Sequence, residues 1–160
     1  MTEDNRGTLI VMQHLDHAIQ IAIEAHERQT DKIGRPFFEH CQRVALLVSG
    51  DEARTVAYLH DVVDKGRGWT LDRLKEEGFA PGIIAAVDAP TRRPEEADDQ
   101  FVRRAASNPL ALPVKQADLE DNLWQGSKPT RMRKNTGAAW LSLATSKPEN
   151  KVRHIPGARS

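Results

Sequence analysis

Four side chains with metal-binding chemistry stand out in this sequence: His40, the adjacent pair His60 and Asp61, and Asp118. Two imidazoles and two carboxylates form a ligand set that a borderline-hard divalent ion such as Mn²⁺, Fe²⁺ or Co²⁺ accepts. Each of the four lies in an apolar, helix-like segment, where an unpaired carboxylate would be costly to bury. One shared ion would explain all four positions, whereas the alternative requires a separate hydrogen-bonding partner for each buried polar group.

The remaining histidines fit a simpler interpretation. A lone histidine on a helix face is more often a core residue than a ligand, so His14, His17 and His26 are predicted to be ordinary packing residues. His154 is predicted to belong to the tail. His60 differs because Asp61 follows it directly, and two adjacent helix positions can both reach an ion that lies between helices.

The elements that must position these side chains are predicted to be α-helices, because strand-type alternation is hard to find. Apolar spacing and breaker residues predict helices over 8–28, 37–48, 51–64, 71–77, 82–88 and 95–107, another from 108–109 onward that carries Asp118, and a last one over 132–144. Asp51 and Thr70 are predicted helix N-caps, and Pro81 a first-turn residue. The predicted fold is all-α, with a single domain over residues 8–145 and a partly disordered basic tail over 146–160.

Two helix faces bear on the site. His40, Val44 and Leu47 share the predicted inner face of the second helix, which places the histidine against the core. Glu120 and Asp121, beside Asp118, are predicted to be exposed helix charges.

Composition excludes some classes of function. The 160 residues carry no formal net charge, which gives no overall electrostatic reason for binding nucleic acid or an anionic membrane. No apolar run approaches the roughly 20 residues that span a bilayer. Cys41 is the only cysteine, so an internal disulfide is impossible, and a cytoplasmic location is expected. Basic residues dominate after Asn122; they form either an anion-binding edge or a solvated surface.

Several ordered segments carry a resemblance to a known family. The matching segments, within residues 18–122, are Ala25–His40, Leu59–Val63, Thr91–Arg93 with Phe101 and Arg104, and Asn108–Asn122. The order H…HD…D resembles the HD-domain superfamily of metal-dependent phosphohydrolases. More specifically, the chain is similar to the small stand-alone relatives of the hydrolase domain of RelA/SpoT enzymes.

The resemblance implies a reaction and a cofactor. His40, His60, Asp61 and Asp118 would be the ligands of one divalent metal, usually Mn²⁺, with Fe²⁺, Co²⁺ or Ni²⁺ as alternatives. The implied reaction removes the 3′-pyrophosphate from guanosine tetra- or pentaphosphate, (p)ppGpp. The expected partner is thus a small-molecule nucleotide; a homo-oligomer stays open.

Two departures from the family pattern concern catalysis and base recognition. Relatives have Glu-Asp after the HD-Val-Val segment, where this chain has Asp64 and Lys65. Asp64 keeps a carboxylate that can act as a base on water, whereas Lys65 is suited to a phosphate. Relatives also have Arg-Lys before the Gly-x-Pro turn, where this chain has Asp31 and Lys32; Asp31 cannot stack on a nucleobase as arginine does.

Further substrate contacts are predicted around this site. Lys32 and Lys115 are candidates for phosphate, Asn122 for the ribose, and Arg28 is the candidate replacement for the missing arginine. Arg92 and Arg93 either line the mouth of the site or are solvated. Three interpretations stay open at this point. The first is an Mn²⁺-dependent hydrolase of (p)ppGpp, or of another nucleotide or phosphorylated metabolite. The second is a non-catalytic nucleotide-sensing or partner-binding module that keeps the metal for stability, and the third is a purely structural helical protein without a metal.

Overall fold

The computed structural model describes the backbone of residues 5–126 and the side chains of residues 14–126. Within this range the chain is helical, with one isolated antiparallel bridge between Thr30 and Pro36 and no strand. The helices are α1 (Asn5–Ala25), α2 (Phe37–Leu46), α3 (Asp51–Leu59), α4 (Val62–Lys65), α5 (Leu71–Glu76), α6 (Pro81–Asp88), α7 (Asp98–Ala106) and α8 (Ala111–Trp124). The predicted all-α class is confirmed. The predicted helix over 132–144 and the predicted tail lie outside the described residues.

Helix α3 lies at the centre of the packing. It contacts α1, α2, α6 and α8, and its apolar residues Val56, Ala57 and Leu59 are almost completely buried. Burial of apolar surface stabilises a fold by roughly 25 cal/mol per Å². Because α3 buries its apolar residues against four other helices, these contacts fix how the four are arranged around it. The C-terminal end of α3 leads directly into the His60–Asp61 pair. Among the described residues, no helix is both long and apolar enough to cross a membrane.

Several helix ends follow local sequence signals. The Thr70 hydroxyl accepts a hydrogen bond from the backbone N–H of Arg73, and Pro81 stands in the first turn of α6, as predicted. The predicted N-cap at Asp51 is wrong by one residue. Gly50 occupies that position with φ +89°, a backbone conformation that glycine adopts without strain.

The helix predicted over 51–64 is interrupted at His60 and Asp61. Helix α3 ends at Leu59, and α4 begins at Val62. The His60 imidazole donates from Nδ1 to the Ala57 carbonyl at 2.5 Å. In a continuing α-helix, that carbonyl would instead accept the backbone N–H of Asp61, so the side chain competes with the helix. The turn at residues 60–61 therefore lets both side chains face the same side.

Close contact explains where α4 ends. A Cβ added at Gly66 would lie 2.5 Å from the Val62 carbonyl oxygen and 2.9 Å from the Ala25 Cβ. Only a residue without a side chain fits there, and the close approach holds α1 against the loop that follows the site.

Two other predictions fail at helix ends. Leu47 was expected on the inner face of α2 but is 49% exposed, because the helix stops at Leu46. The helix predicted over 95–107 begins only at Asp98, since Glu95 has φ +62° and breaks the helical path.

Candidate metal centre

Packing of α2, α3 and α8 brings the four predicted ligands together. His40 lies on α2, His60 and Asp61 lie in the turn between α3 and α4, and Asp118 lies on α8. One nitrogen or oxygen atom from each side chain lies within 4.8 Å of the others. These side chains are only 3%, 8%, 14% and 9% exposed in that order, so the group is largely shielded from water. The group could bind a metal ion.

The imidazoles converge on the same carboxylate oxygens. His40 Nε2 lies 3.3 Å from Asp118 Oδ1 and 3.8 Å from Asp61 Oδ2. His60 Nε2 lies 3.2 Å from Asp61 Oδ2 and 3.7 Å from Asp118 Oδ1. Two ring nitrogens and two oxygens thus surround one small volume.

Hydrogen bonds at the far side of each ring indicate which nitrogen faces the cluster with a lone pair. His60 donates from Nδ1 to the Ala57 carbonyl, and His40 Nδ1 lies 2.7 Å from Asp121 Oδ2, an acceptor. In the neutral ring the Nε2 atoms then carry lone pairs, as metal ligation requires. His60 Nε2 is buried and has no hydrogen-bond partner within the described residues. An orphaned nitrogen between two carboxylates fits a cation at this place.

The electrostatics of the cluster also favour positive charge. Burial acts to lower the pKa of His60, but the carboxylates of Asp61 and Asp118 outweigh it and raise that pKa to about 10. Burial likewise acts against the ionised carboxylates, yet the pKa values of Asp61 and Asp118 lie below their usual range because cationic and hydrogen-bonding partners surround them. A proton or a metal ion between the four side chains would balance the negative charge of the two carboxylates.

A cavity of about 620 Å³ opens onto this cluster. Several residues predicted to act on the substrate line it: Lys32, Asp64, Lys65, Lys115 and Asn122. Arg28 is not among the lining residues; it is exposed and has φ +66°. Arg92 is not among them either, because its guanidinium binds Asp98 and the Glu96 carbonyl.

Two of the lining lysines contact the carboxylates of the candidate metal centre. Lys65 Nζ lies 2.7 Å from Asp61 Oδ2 and 4.6 Å from the centre of the Phe37 ring. Lys115 Nζ lies 2.8 Å from Asp118 Oδ2. Positive charge is therefore already concentrated on the side of the cluster that faces the cavity.

Two further lining side chains complete this wall. Asn122 donates from Nδ2 to Asp118 Oδ1 at 2.8 Å, which helps to orient that carboxylate. Burial lowers the pKa of Lys32; the Asp118 carboxylate acts against this shift, while the positive charges of Lys65 and Lys115 act with it. An anion that enters the cavity would relieve this repulsion among the lysines.

Asp31 is buried, and hydrogen bonds hold its carboxylate within the protein. Its carboxylate accepts hydrogen bonds from the backbone N–H groups of Ile33 and Arg35 and from the Arg43 guanidinium. Burial opposes ionisation, but these donors lower the pKa of Asp31. Asp31 therefore shapes the loop that precedes α2.

Reasoning from the sequence missed the residues behind His40. Asp121 was predicted to be an exposed charge, and that prediction is wrong: it is 3% exposed and contacts His40 and Arg43. Its position three residues after Asp118, on the same helix face, is the one signal that pointed inward. Glu120 is exposed as predicted. His26 is a buried packing residue, as predicted, with its ring 4.6 Å from that of Phe37.

Comparison of the chain with protein-family models and with curated proteins gives no match. The fold and the site themselves define the class that can be stated: an all-α protein in which two histidines and two aspartates form a candidate metal centre beside a lysine-lined cavity.

Proposed function

We propose that this protein is a divalent-metal-dependent phosphohydrolase of the HD-domain type that acts on a nucleotide phosphoester or pyrophosphate. One observation carries the proposal: His40, His60, Asp61 and Asp118 present ligand atoms within 4.8 Å of one another on a cavity that is also lined by lysines. A cation site beside basic side chains is suited to a phosphate substrate, because both neutralise charge on the phosphoryl oxygens.

These four side chains would hold the metal, and Mn²⁺ is the expected ion because the motifs resemble the RelA/SpoT hydrolases. A mixed set of nitrogen and oxygen ligands also accepts Fe²⁺, Co²⁺ or Ni²⁺. When bound, such an ion supplies Lewis acidity toward a phosphoryl oxygen and makes a neighbouring water more acidic. The shielded position of the four side chains strengthens every charge interaction within the site.

The other residues of the cavity supply proton transfer and charge neutralisation. Asp64 is exposed on the cavity wall, where its carboxylate can orient the attacking water and accept its proton. An ammonium group has three N–H donors, so Lys65 and Lys115 can bind phosphoryl oxygens while each still contacts its aspartate. Lys32 also lines the cavity and adds a third cationic side chain to it.

The leading substrate is guanosine 3′,5′-bispyrophosphate, because the ordered motifs resemble the RelA/SpoT hydrolases. In that reaction water attacks the phosphorus attached to the 3′ oxygen, the bond between them breaks, and GDP and pyrophosphate leave. The proton lost by water passes to the Asp64 carboxylate, and the 3′ oxygen takes up a proton from solvent and leaves as a hydroxyl.

A second candidate function is hydrolysis of a different nucleotide or a phosphorylated metabolite. Its support is the commitment of Asp31 to Arg43, which removes the position used for base stacking in the relatives. A non-catalytic nucleotide-sensing module is the further alternative, because Lys65 reverses the charge found there in the relatives.

The deciding experiment measures pyrophosphate and nucleotide release from guanosine 3′,5′-bispyrophosphate by metal-stripped protein, with and without Mn²⁺. A panel of ordinary nucleotides is measured alongside. Mn²⁺-dependent GDP release is the expected result, and activity on other panel members alone would move the proposal to the second candidate. Binding of nucleotide without turnover would favour the sensing module. Release that persists after the metal has been removed would contradict the metal-dependent mechanism.

A further inference from the structure

The ring of His40 has a buried carboxylate directly behind it. Asp121 Oδ2 lies 2.7 Å from His40 Nδ1, and both side chains are 3% exposed. On the opposite side of the ring, Nε2 faces Asp118 Oδ1 at 3.3 Å. Both partners are carboxylate acceptors, and the shorter contact to Asp121 favours the proton of the neutral ring on Nδ1.

Asp121 is itself held by three donated hydrogen bonds. Arg43 donates from Nε to Oδ1 at 2.6 Å and from Nη2 to Oδ2 at 3.2 Å, and Gln125 donates from Nε2 to Oδ2 at 2.7 Å. An ionised carboxylate only accepts, so it can satisfy Arg43, Gln125 and the ring N–H of His40 together. The bonds also leave it little freedom to rotate.

A second carboxylate anchors the guanidinium. Arg43 Nη2 donates to Asp31 Oδ2 at 2.8 Å, and Asp31 also accepts the N–H groups of Ile33 and Arg35. Gln125 connects to the same loop, because the backbone N–H of Lys32 donates to its Oε1 at 3.1 Å. That bond sets the Gln125 amide so that its nitrogen faces Asp121. The loop over 31–35 is thereby joined to the back of the His40 ring.

Burying the charged groups of this network, Asp31, Arg43 and Asp121, costs desolvation free energy that their mutual attraction only partly offsets. Replacing buried ion pairs with apolar residues is often neutral or stabilising, so their burial needs another reason. Here the network ends on a side chain of the candidate metal centre. Hydrogen-bond partners of metal-binding histidines are known to fix the ring orientation and to raise affinity for the ion.

We infer, on the basis of the metal site proposed above, that Asp121 is a positioning residue that holds the proton of His40 on Nδ1 and so keeps Nε2 free for the metal. Arg43 and Asp31 act one step further back by holding Asp121 in place. Without the carboxylate, amide donors would face Nδ1, since the Gln125 nitrogen already lies 3.4 Å from it. The proton would then move to Nε2, where it blocks ligation.

Asp121→Asn is the direct test. Asparagine has one acceptor oxygen where Asp121 has two, so it cannot accept from Arg43, Gln125 and His40 together. The contact from Arg43 Nε to Oδ1, 2.6 Å long, is the shortest of these, so we expect the oxygen to stay there and the amide N–H₂ group to face His40 Nδ1. The readout is ¹⁵N NMR of labelled histidines in metal-free protein, titrated until the His40 ring is neutral. The expected result is a shift of the proton from Nδ1 in the natural protein to Nε2 in the variant. Affinity for Mn²⁺, measured by calorimetry, should fall about 10- to 100-fold.

Glu120→Gln is the matched control, because it removes one negative charge from the adjacent, exposed position of the same helix. It should leave the His40 proton on Nδ1 and change the Mn²⁺ affinity by less than about twofold, as expected for a solvated charge. If Asp121→Asn does not fold, Arg43→Lys decides instead. That variant keeps a cation beside Asp121 but loses the two-point contact, so it should retain the proton on Nδ1 and weaken Mn²⁺ binding by a smaller factor.

The outcomes separate this inference from the proposed function. A His40 proton on Nε2 in the natural protein, or an Asp121→Asn or Arg43→Lys variant that binds Mn²⁺ as tightly as Glu120→Gln, would overturn the positioning role. If the natural protein binds no Mn²⁺ while the proton still moves in Asp121→Asn, the proposed function fails and control of the His40 proton by Asp121 stands.

Discussion

At the scale of single residues, the candidate metal centre concentrates carboxylate charge that a cation would balance. Asp61 lies next to both imidazoles, and Lys65 binds the same oxygen, Oδ2. Asp118 has a different arrangement, because Lys115 binds its Oδ2 while its Oδ1 faces the histidines. Asp61 is therefore the ligand whose loss should change the cluster most directly.

Replacement of Asp61 by alanine should abolish both metal binding and hydrolysis. The variant loses a charged ligand, and the expected drop in Mn²⁺ affinity exceeds the roughly 100-fold upper range for residues that only support a ligand. Calorimetric titration with Mn²⁺ and the pyrophosphate-release assay check both effects. Asp64→Asn is the matched control: it should keep the metal and lose turnover, since Asp64 lies outside the four-residue cluster. Turnover by Asp61→Ala with no bound metal would contradict the mechanism.

At the scale of helices and loops, the connection between α6 and α7 is held by one arginine. Arg104 donates from Nε and Nη2 to the two carboxylate oxygens of Glu96 at 2.7 and 3.0 Å. The same guanidinium donates to the carbonyls of Ala89 and Thr91, so it joins α7 to the preceding loop. The hydrogen bonds from Arg104 lower the pKa of Glu96 to about 2.

Glu96→Gln should therefore change how the stability of the protein depends on pH. The pKa of Glu96 is lowered by folding, so its contribution is complete above about pH 4.5 and is lost as the pH falls through about 2. The variant should be less stable than the natural protein at pH 7, and this difference should shrink with acidification. Urea unfolding at several pH values between 2 and 7 measures it. The exposed neighbour in Glu95→Gln is the control, and an equal effect there would show that Arg104 is not the cause.

Structural features that depend on neighbouring residues in the sequence could be predicted, whereas features that depend on contacts between distant residues could not. The all-α class, the cap at Thr70 and the position of Pro81 follow from local patterns, and all are found in the structure. The break at residues 60–61 arises because a side chain takes the Ala57 carbonyl, which spacing alone does not reveal. Burial of Asp121 and of Asp31 depends on how Arg43 of α2 reaches α8, a tertiary contact without a local sequence signature.

At the scale of the whole molecule, the candidate centre joins helices from distant parts of the chain. Helices α2, α3 and α8 pack against one another, and the four candidate ligands lie on α2, on α8 and in the turn that follows α3. An ion held by all three would connect elements that otherwise depend on apolar packing. The protein should therefore become more stable when the metal is present.

Mn²⁺ at about 100 times its dissociation constant should stabilise the fold by about 2.7 kcal/mol, which corresponds to a rise in Tm of about 5–10 °C. Calorimetric melting in chelator and in Mn²⁺ measures this change. The Asp61→Ala variant is the control and should melt at the same temperature in both buffers. A rise of equal size in that variant would mean that the ion binds elsewhere.

The separation of the ligands along the chain has a consequence for the order of folding events. His40 lies on α2 and Asp118 on α8, far apart in the sequence, and the two meet only when α8 has packed against α2 and α3. Earlier in folding, no complete set of ligands exists for an ion to bind. The metal is thus expected to slow unfolding while it leaves the refolding rate nearly unchanged. A protein of this design would gain its ion as the last step of maturation, and loss of the ion would shorten the lifetime of the native state before it affected how that state forms.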